Sequence, residues 1–352
     1  MSGRGHWEHG SEFHWQPIDL GMPEAVPWED GLLLSCGRDA LLLLLAHGYR
    51  ERGWRRLWLP DYFSQGVVAA LTRSEVELLA FPDNPLLPMP APPAATPGDA
   101  VLVMNYFGIR APGSLELREG VDVIEDHSHD PTSEWARSSS ADFCMASFRK
   151  ALPLPDGGAL WSPRRHSLPL APPETAQRRL ASADRVAAML LKAMYLDGQP
   201  IDPASYRLLE QESEQEFGVG VPSSMTQFAR TVLSAFPFEG WRRARMDNWE
   251  ALRARLADVE WISLLAPTAP NQAPFSALLV FDSAERRDRV RRELIGVRVY
   301  PAVLWSLEEP VLTAGRDALE LSRRVLSIPC DGRYGREDME RVGSLIEAAG
   351  SA

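Results

Sequence analysis

Through its first half this chain alternates short apolar segments with helix-like stretches, a pattern best buried as a mainly parallel sheet covered by helices. Residues 56–60 (R-L-W-L-P), 76–81, 101–106, 122–125 and 142–146 read as strands, and 66–72 as a helix. Gly157 and Gly158 then let the chain turn back into a last short strand, 159–162. In parallel α/β sheets, ligands sit in the crevice beyond the carboxyl ends of the strands. Asn105, Asp126, His129, Ser147 and Lys150 all fall just past such ends.

At 352 residues the chain is long enough for two domains. Residues 1–30 are aromatic and irregular (Trp7, Phe13, Trp15, Trp28) and read as an arm that packs on a neighbour or on the body of the protein. Residues 31–235 are expected to form the large ligand-binding domain and 236–352 a small α+β domain. Gly37 opens a strongly helical run, and the free N–H groups of a helix start can hold a phosphate. Periodicity predicts helices over 178–196, 224–236 and 241–256, while the acidic, glycine-containing stretch 210–220 is expected to be a mobile loop. A strand at 275–281, a helix at 283–295, a strand at 297–301 and a closing helix at 336–349 make up the small domain. The proline-rich connector 83–98 carries no assignable chemistry.

Lys150 and Lys192 are the only lysines among 37 Lys and Arg residues, so a lysine kept in an apolar turn calls for a reason. An amine can lose its proton near neutral pH and attack a carbonyl to form a Schiff base, which a guanidinium cannot do. Such a lysine needs a carbonyl cofactor, and pyridoxal phosphate is the common one. That cofactor asks for a phosphate cradle, a carboxylate for the pyridine nitrogen and a platform for the ring. Asp126, ending the strand V-D-V-I-E, suits the carboxylate role. An aspartate that merely caps the next turn is the plain alternative.

A net charge of −11, without a basic patch interleaved with aromatics, argues against a nucleic-acid partner. Cys36, Cys144 and Cys330 are far apart and odd in number, which predicts free thiols and no metal site. The N-terminal residues lack the apolar core of a signal peptide, and the longest apolar run, 40–46, is too short to span a bilayer. A cytoplasmic protein without a membrane partner is expected.

The motifs together resemble the DegT/DnrJ/StrS group of sugar aminotransferases, a branch of the fold-type I pyridoxal-phosphate enzymes, over most of the chain from Leu33 onward. That group has a strand ending in E-D-x-x-[HQ], matched here by Glu125-Asp126-His127-Ser128-His129. Its lysine is followed by four residues and then G-E-G-G, where this chain has Pro155-Asp156-Gly157-Gly158. Its phosphate loop is similar to Ser35-Cys36-Gly37-Arg38-Asp39-Ala40-Leu41. The resemblance implies a three-layer α/β/α large domain with a mainly parallel sheet, plus a small C-terminal α+β domain.

It also implies site roles. Lys150 would form the Schiff base with pyridoxal phosphate, Asp126 would pair with the pyridinium, and His129 would lie near the ring oxygen. Gly37 and Arg38 would hold the phosphate through backbone N–H groups, with the Arg38 side chain either on the phosphate or turned away. Ser147, three before the lysine, would be a further phosphate ligand, and Tyr62 or Phe63 would stack on the ring. Asn105 and Tyr106 would meet substrate, Asn105 standing where the group often has histidine. Ser223 or Ser224 would reach the site from the partner chain of a homodimer. The implied reaction moves an amino group from an amino-acid donor, glutamate in many relatives, to a keto substrate such as a nucleotide-linked keto-sugar. Other pyridoxal-phosphate reactions on this scaffold, namely dehydration, decarboxylation or carbon–carbon bond formation, are the alternative; a non-catalytic binding protein is a third reading.

Overall fold

The computed structural model describes residues 5–17, 21–113 and 115–351. In chain order the elements are β1 (His9–Gly10), β2 (Leu32–Leu34), α1 (Gly37–His47), β3 (Arg56–Pro60), α2 (Gln65–Leu71), β4 (Glu77–Phe81), β5 (Asp99–Met104) and β6 (Asp122–Asp126). Then come α3 (Glu134–Ser138), β7 (Phe143–Ser147), α4 (Phe148–Ala151), β8 (Gly158–Trp161), α5 (Ala176–Leu196), α6 (Pro203–Gly218), α7 (Gln227–Ser234) and α8 (Phe238–Arg255). The last third holds β9 (Ile262–Leu264), β10 (Ala277–Phe281), α9 (Ala284–Gly296), β11 (Val299–Tyr300), α10 (Arg316–Arg324), β12 (Val325–Ile328) and α11 (Arg336–Ser351). No helix among the described residues is long and apolar enough to cross a membrane.

The main sheet has seven strands in the order β2-β8-β7-β6-β5-β3-β4. β4, β3, β5, β6 and β7 run parallel, and β8 returns antiparallel to β7. Such strands must be apolar on both faces, and every residue of β5 (D-A-V-L-V-M) is buried. The register sets Met104 beside Asp126 and Asp126 beside Met145. The polar residues that follow β5, β6 and β7 therefore emerge together on one edge of the sheet.

Of the stretch 210–220, expected to be a mobile loop, residues 210–218 are instead the second half of α6. Asp202 caps this helix by accepting the Ala204 N–H, and Pro203 occupies its first turn. Tyr206, Glu210, Ser213 and Phe217 face inward against the rest of the protein. Two of these four inward positions are polar, which hid the helical period from a reading based on apolar residues.

The segment 297–301 was expected to be a regular strand of the small domain. Only Val299–Tyr300 is extended, and it pairs in parallel with His9–Gly10 of the N-terminal arm. The three-stranded antiparallel sheet runs β12-β10-β9, so its edge strands are segments the sequence pattern did not single out. The arm thus packs on the body of its own chain: Trp7 donates to Asp338 Oδ1 at 2.8 Å, and Lys192 Nζ lies 2.9 Å from Glu8 Oε1. In the proline-rich connector, Asp83 forms a buried ion pair with Arg110, whose Nη1 lies 3.0 Å from Asp83 Oδ2.

Candidate active site

A cavity of about 610 Å³ opens at the carboxyl edge of the parallel strands and is walled on its far side by Tyr300, Ser327 and Arg333. Gly37, Arg38, Asp126, Ser147 and Lys150 all line it. Asp126 is the last residue of β6 and is buried, and its Oδ1 accepts the Ser128 N–H at 2.8 Å. Ser128 Oγ in turn accepts the Ser147 N–H at 2.9 Å. This relay ties the end of β6 to the end of β7 and fixes the carboxylate's orientation.

Lys150 lies on α4, the short helix that leaves β7. Burial pushes its ammonium pKa down; Asp126 pulls it up, while Arg38 and Arg149 push it further down. A lysine in these surroundings gives up its proton more readily than one in water. Its Nζ sits 5.7 Å from the centre of the Trp305 ring.

The start of α1 forms the opposite wall. Cys36, at the cap position, has extended backbone and makes no side-chain bond to the first turn. Residue 37 must be glycine for packing reasons: a β-carbon there would stand 2.8 Å from Ser147 Cβ and 3.0 Å from Met145 Cε. The same holds for Gly158, where a β-carbon would meet the Cys36 backbone at 2.6 Å. Asp156, in place of the glutamate of the G-E-G-G pattern, is fully buried and accepts from the Thr226 N–H at 3.1 Å and Thr226 Oγ1 at 3.2 Å. Burial raises its pKa to about 6.

The remaining sequence candidates stand behind the cavity wall. His129 is buried in an aromatic stack, 4.8 Å from the Phe107 ring and 5.8 Å from Trp305 between ring centres. Its Nδ1 accepts the Phe107 N–H at 3.0 Å, which leaves Nε2 to carry the proton of the neutral ring. Burial, then the Lys150 charge, holds its pKa well below the usual histidine value. Tyr62 and Phe63 belong to the apolar core rather than the cavity lining. Tyr62 donates its hydroxyl to the Leu304 carbonyl, and Phe63 packs on Trp305 at 6.1 Å. Asn105 and Tyr106 are buried beneath the site, Tyr106 donating to the Tyr62 carbonyl at 2.6 Å. The Ser223 N–H donates to Asp39 Oδ2 at 3.2 Å, and Ser224 donates its hydroxyl to the Pro172 carbonyl. Within one chain neither serine reaches the cavity.

Three groups that sequence reading passed over line the cavity: Arg149, Glu214 and Arg333. Glu214 Oε1 is 2.7 Å from Arg38 Nη2, its Oε2 is 3.1 Å from Arg185 Nη2, and it also pairs with Arg149. Burial opposes its ionisation, yet Arg149 and Arg38 hold the carboxyl at about 2. Arg333 is gripped by Asp331, with Nε 2.8 Å from Oδ1, and its guanidinium lies 4.3 Å above the Phe13 ring. Arg149 was legible as the immediate neighbour of Lys150. Glu214 was hidden by the mistaken loop.

No family model matches the sequence, and no curated protein does either. Solved structures do. DesI, crystallised in the presence of its TDP-sugar product, superimposes with a TM-score of 0.62 at 18% identity, covering 97% of this chain and 95% of its own. PseC from Helicobacter pylori, an aminotransferase of pseudoaminic acid biosynthesis, gives 0.64 at 11% identity over 98% and 100% of the two chains. A Streptococcus pneumoniae protein solved in its PLP-form gives 0.59 at 13% identity over 96% and 93%. The fold is that of the sugar aminotransferases. Within that aminotransferase fold, Asp126 ends β6, Lys150 follows the end of the neighbouring parallel strand β7 on α4, and α1 begins across from them.

Proposed function

We propose that this protein is a pyridoxal-phosphate-dependent aminotransferase, with Lys150 as the residue that binds the cofactor covalently. The observation that carries the reading is the meeting of a buried carboxylate, a proton-releasing lysine and an uncapped helix start around one cavity. These residues fit the cofactor on steric as well as chemical grounds. Only a glycine at position 37 leaves the start of α1 close enough to Ser147 for both to meet one phosphate. Pyridoxal phosphate, when bound, supplies a carbonyl to take up an amine and a ring that draws electrons from the substrate carbon.

The chain's own residues would do the rest. Asp126 would keep a proton on the pyridine nitrogen, its orientation fixed by the Ser128 N–H. Lys150, once free, would carry a proton from the amino donor's α-carbon, a task suited to an amine of depressed pKa. Arg149 and Arg38 would favour anionic reactants at the cavity wall. The amino donor we propose is an amino acid such as glutamate. The acceptor is a keto compound, and the likeness to DesI with its TDP-sugar product favours a nucleotide-linked keto-sugar. The working unit we propose is a homodimer.

An absorbance spectrum of the purified chain, with pyridoxal phosphate and then L-glutamate added, tests this. A visible band that glutamate shifts to the near ultraviolet is the expected result. A band indifferent to every amino donor would reject amino transfer in favour of another pyridoxal-phosphate reaction. Absence of any band with cofactor added would reject the reading.

A further inference from the structure

Around Glu214 the charges do not balance. Arg38, Arg149 and Arg185 all pair with this one half-exposed carboxylate, and among the described residues only Arg185 of the three has a second acidic ion-pair partner, Glu12. Arg38 and Arg149 both line the cavity and both bear electrostatically on Lys150. Arg149 also sits over an aromatic face, its guanidinium carbon 4.1 Å from the centre of the Phe217 ring. Phe217 and Glu214 sit one turn apart on α6, so one helix supplies both the ring and the carboxylate that aim this guanidinium. The surplus positive charge lies beside the uncapped start of α1 and Ser147.

We propose that Arg149 and Arg38 form a two-arginine cradle for the phosphate of the cofactor, and that Glu214 is the positioning residue that holds both guanidinium groups in place. This rests on the pyridoxal-phosphate reading above. A dianion seated there takes up the surplus charge and receives planar, forked donors from two sides, the geometry in which arginine surpasses lysine. Backbone amides of α1 alone would supply only partial charge. The arginine pair makes the cradle selective for the phosphorylated form of the cofactor, and the selectivity resides within a single chain.

The test compares two ligands on the full chain: pyridoxal 5′-phosphate and pyridoxal, which lacks the phosphate, each titrated by absorbance. The wild-type protein is expected to prefer the phosphorylated form strongly. Arg149→Gln is expected to lose about 10- to 100-fold in affinity for pyridoxal 5′-phosphate relative to pyridoxal, since any change at Lys150 acts on both ligands alike. The pyridoxal titration doubles as the check that the variant is folded. Should Arg149→Gln be insoluble, Arg149→Lys keeps the charge without the fork and is expected to lose selectivity by several-fold. An unchanged ratio of the two affinities in a folded variant, or an equal loss for both ligands, overturns the cradle alone. A wild-type chain that binds neither ligand overturns the proposed function, and the cradle with it.

Discussion

Arg178 Nη2 donates to Asp39 Oδ1 at 3.1 Å, and both side chains are almost entirely buried. The pair clamps the first turn of α1 to α5. Asp39 also receives the Ser35 hydroxyl and the Ser223 N–H. The geometry of the α1 start thus depends on a charge that water does not reach.

Arg178→Met should therefore destabilise the protein by about 3–5 kcal/mol, because it leaves Asp39 charged and unpaired in the interior. Thermal or urea unfolding measures this directly. The double variant Arg178→Met, Asp39→Asn should recover much of the loss, since no buried charge then remains. A single variant as stable as the wild type would mean that the pair does not hold the start of α1.

Replacing Lys150 by Ala should remove covalent capture of pyridoxal phosphate, seen as loss of a borohydride-fixed adduct by mass spectrometry. Asp126→Asn should leave capture intact and slow the amino-transfer half-reaction by orders of magnitude, because a neutral amide cannot hold the ring proton. Equal half-reaction rates in Asp126→Asn and wild type would remove Asp126 from that role.

Three carboxyl groups should each leave a distinct mark on how stability varies with pH. Burial raises Glu210 to about 7 and Asp156 to about 6, above their unfolded values. The folded state then binds more protons than the unfolded one, so each group's contribution falls as pH rises from about 4 through those values. Glu214 is held near 2, so its contribution is full above about 4.5 and is lost as pH falls toward 2. His9, His14, His47 and His129, whose pKa values burial lowers, act the other way and add stability as pH rises toward 6.5. Glu210→Gln should be stabilising at pH 8 by on the order of 1–3 kcal/mol and close to neutral at pH 4.5. Urea titrations at the two pH values check the difference; an equal effect at both would reject the assignment.

Lys192→Met should free the N-terminal arm. Its ammonium is buried and pairs with Glu8 at 2.9 Å, besides donating to the Glu12 carbonyl at 2.7 Å. Removing it strands the Glu8 carboxylate, which regains water only if the arm lifts. Limited proteolysis within residues 5–17 should become faster by at least tenfold, with little change in the cleavage of the rest. Arm cleavage at the wild-type rate would show that the arm is held by its other contacts alone.

Much of the site edge was legible because parallel strands buried on both faces are apolar runs with abrupt polar ends. Asp126 and Lys150 stand out at such ends, and β3 begins and ends where the sequence pattern put it. What escaped had physical reasons. The inward face of α6 carries Glu210 and Ser213, so its period is not an apolar one. β12 follows α10 without a turn residue between them, and nothing in the local pattern separates the two. Trp305 enters the site from an irregular stretch whose position only the tertiary packing decides. Tyr62 and Phe63 were read as the aromatic platform from their place after β3, yet their rings are drawn into the core under Trp305.

The arm has a bearing on the order in which this molecule can assemble. Its Gly10 N–H donates to the Tyr334 hydroxyl, and the two residues are 324 positions apart in sequence. Ser11, Glu12 and Phe13, which wall the cavity, follow directly on that anchor. While the chain is being synthesised, this anchor cannot form until nearly all the other residues have emerged, although the arm can meet α5 earlier through Lys192. Closing so long a loop comes late for reasons of chain entropy as well. The strand-end edge of the sheet can be in place while this wall is still open, and a ligand that arrives during synthesis would meet a half-built pocket before the arm completes it.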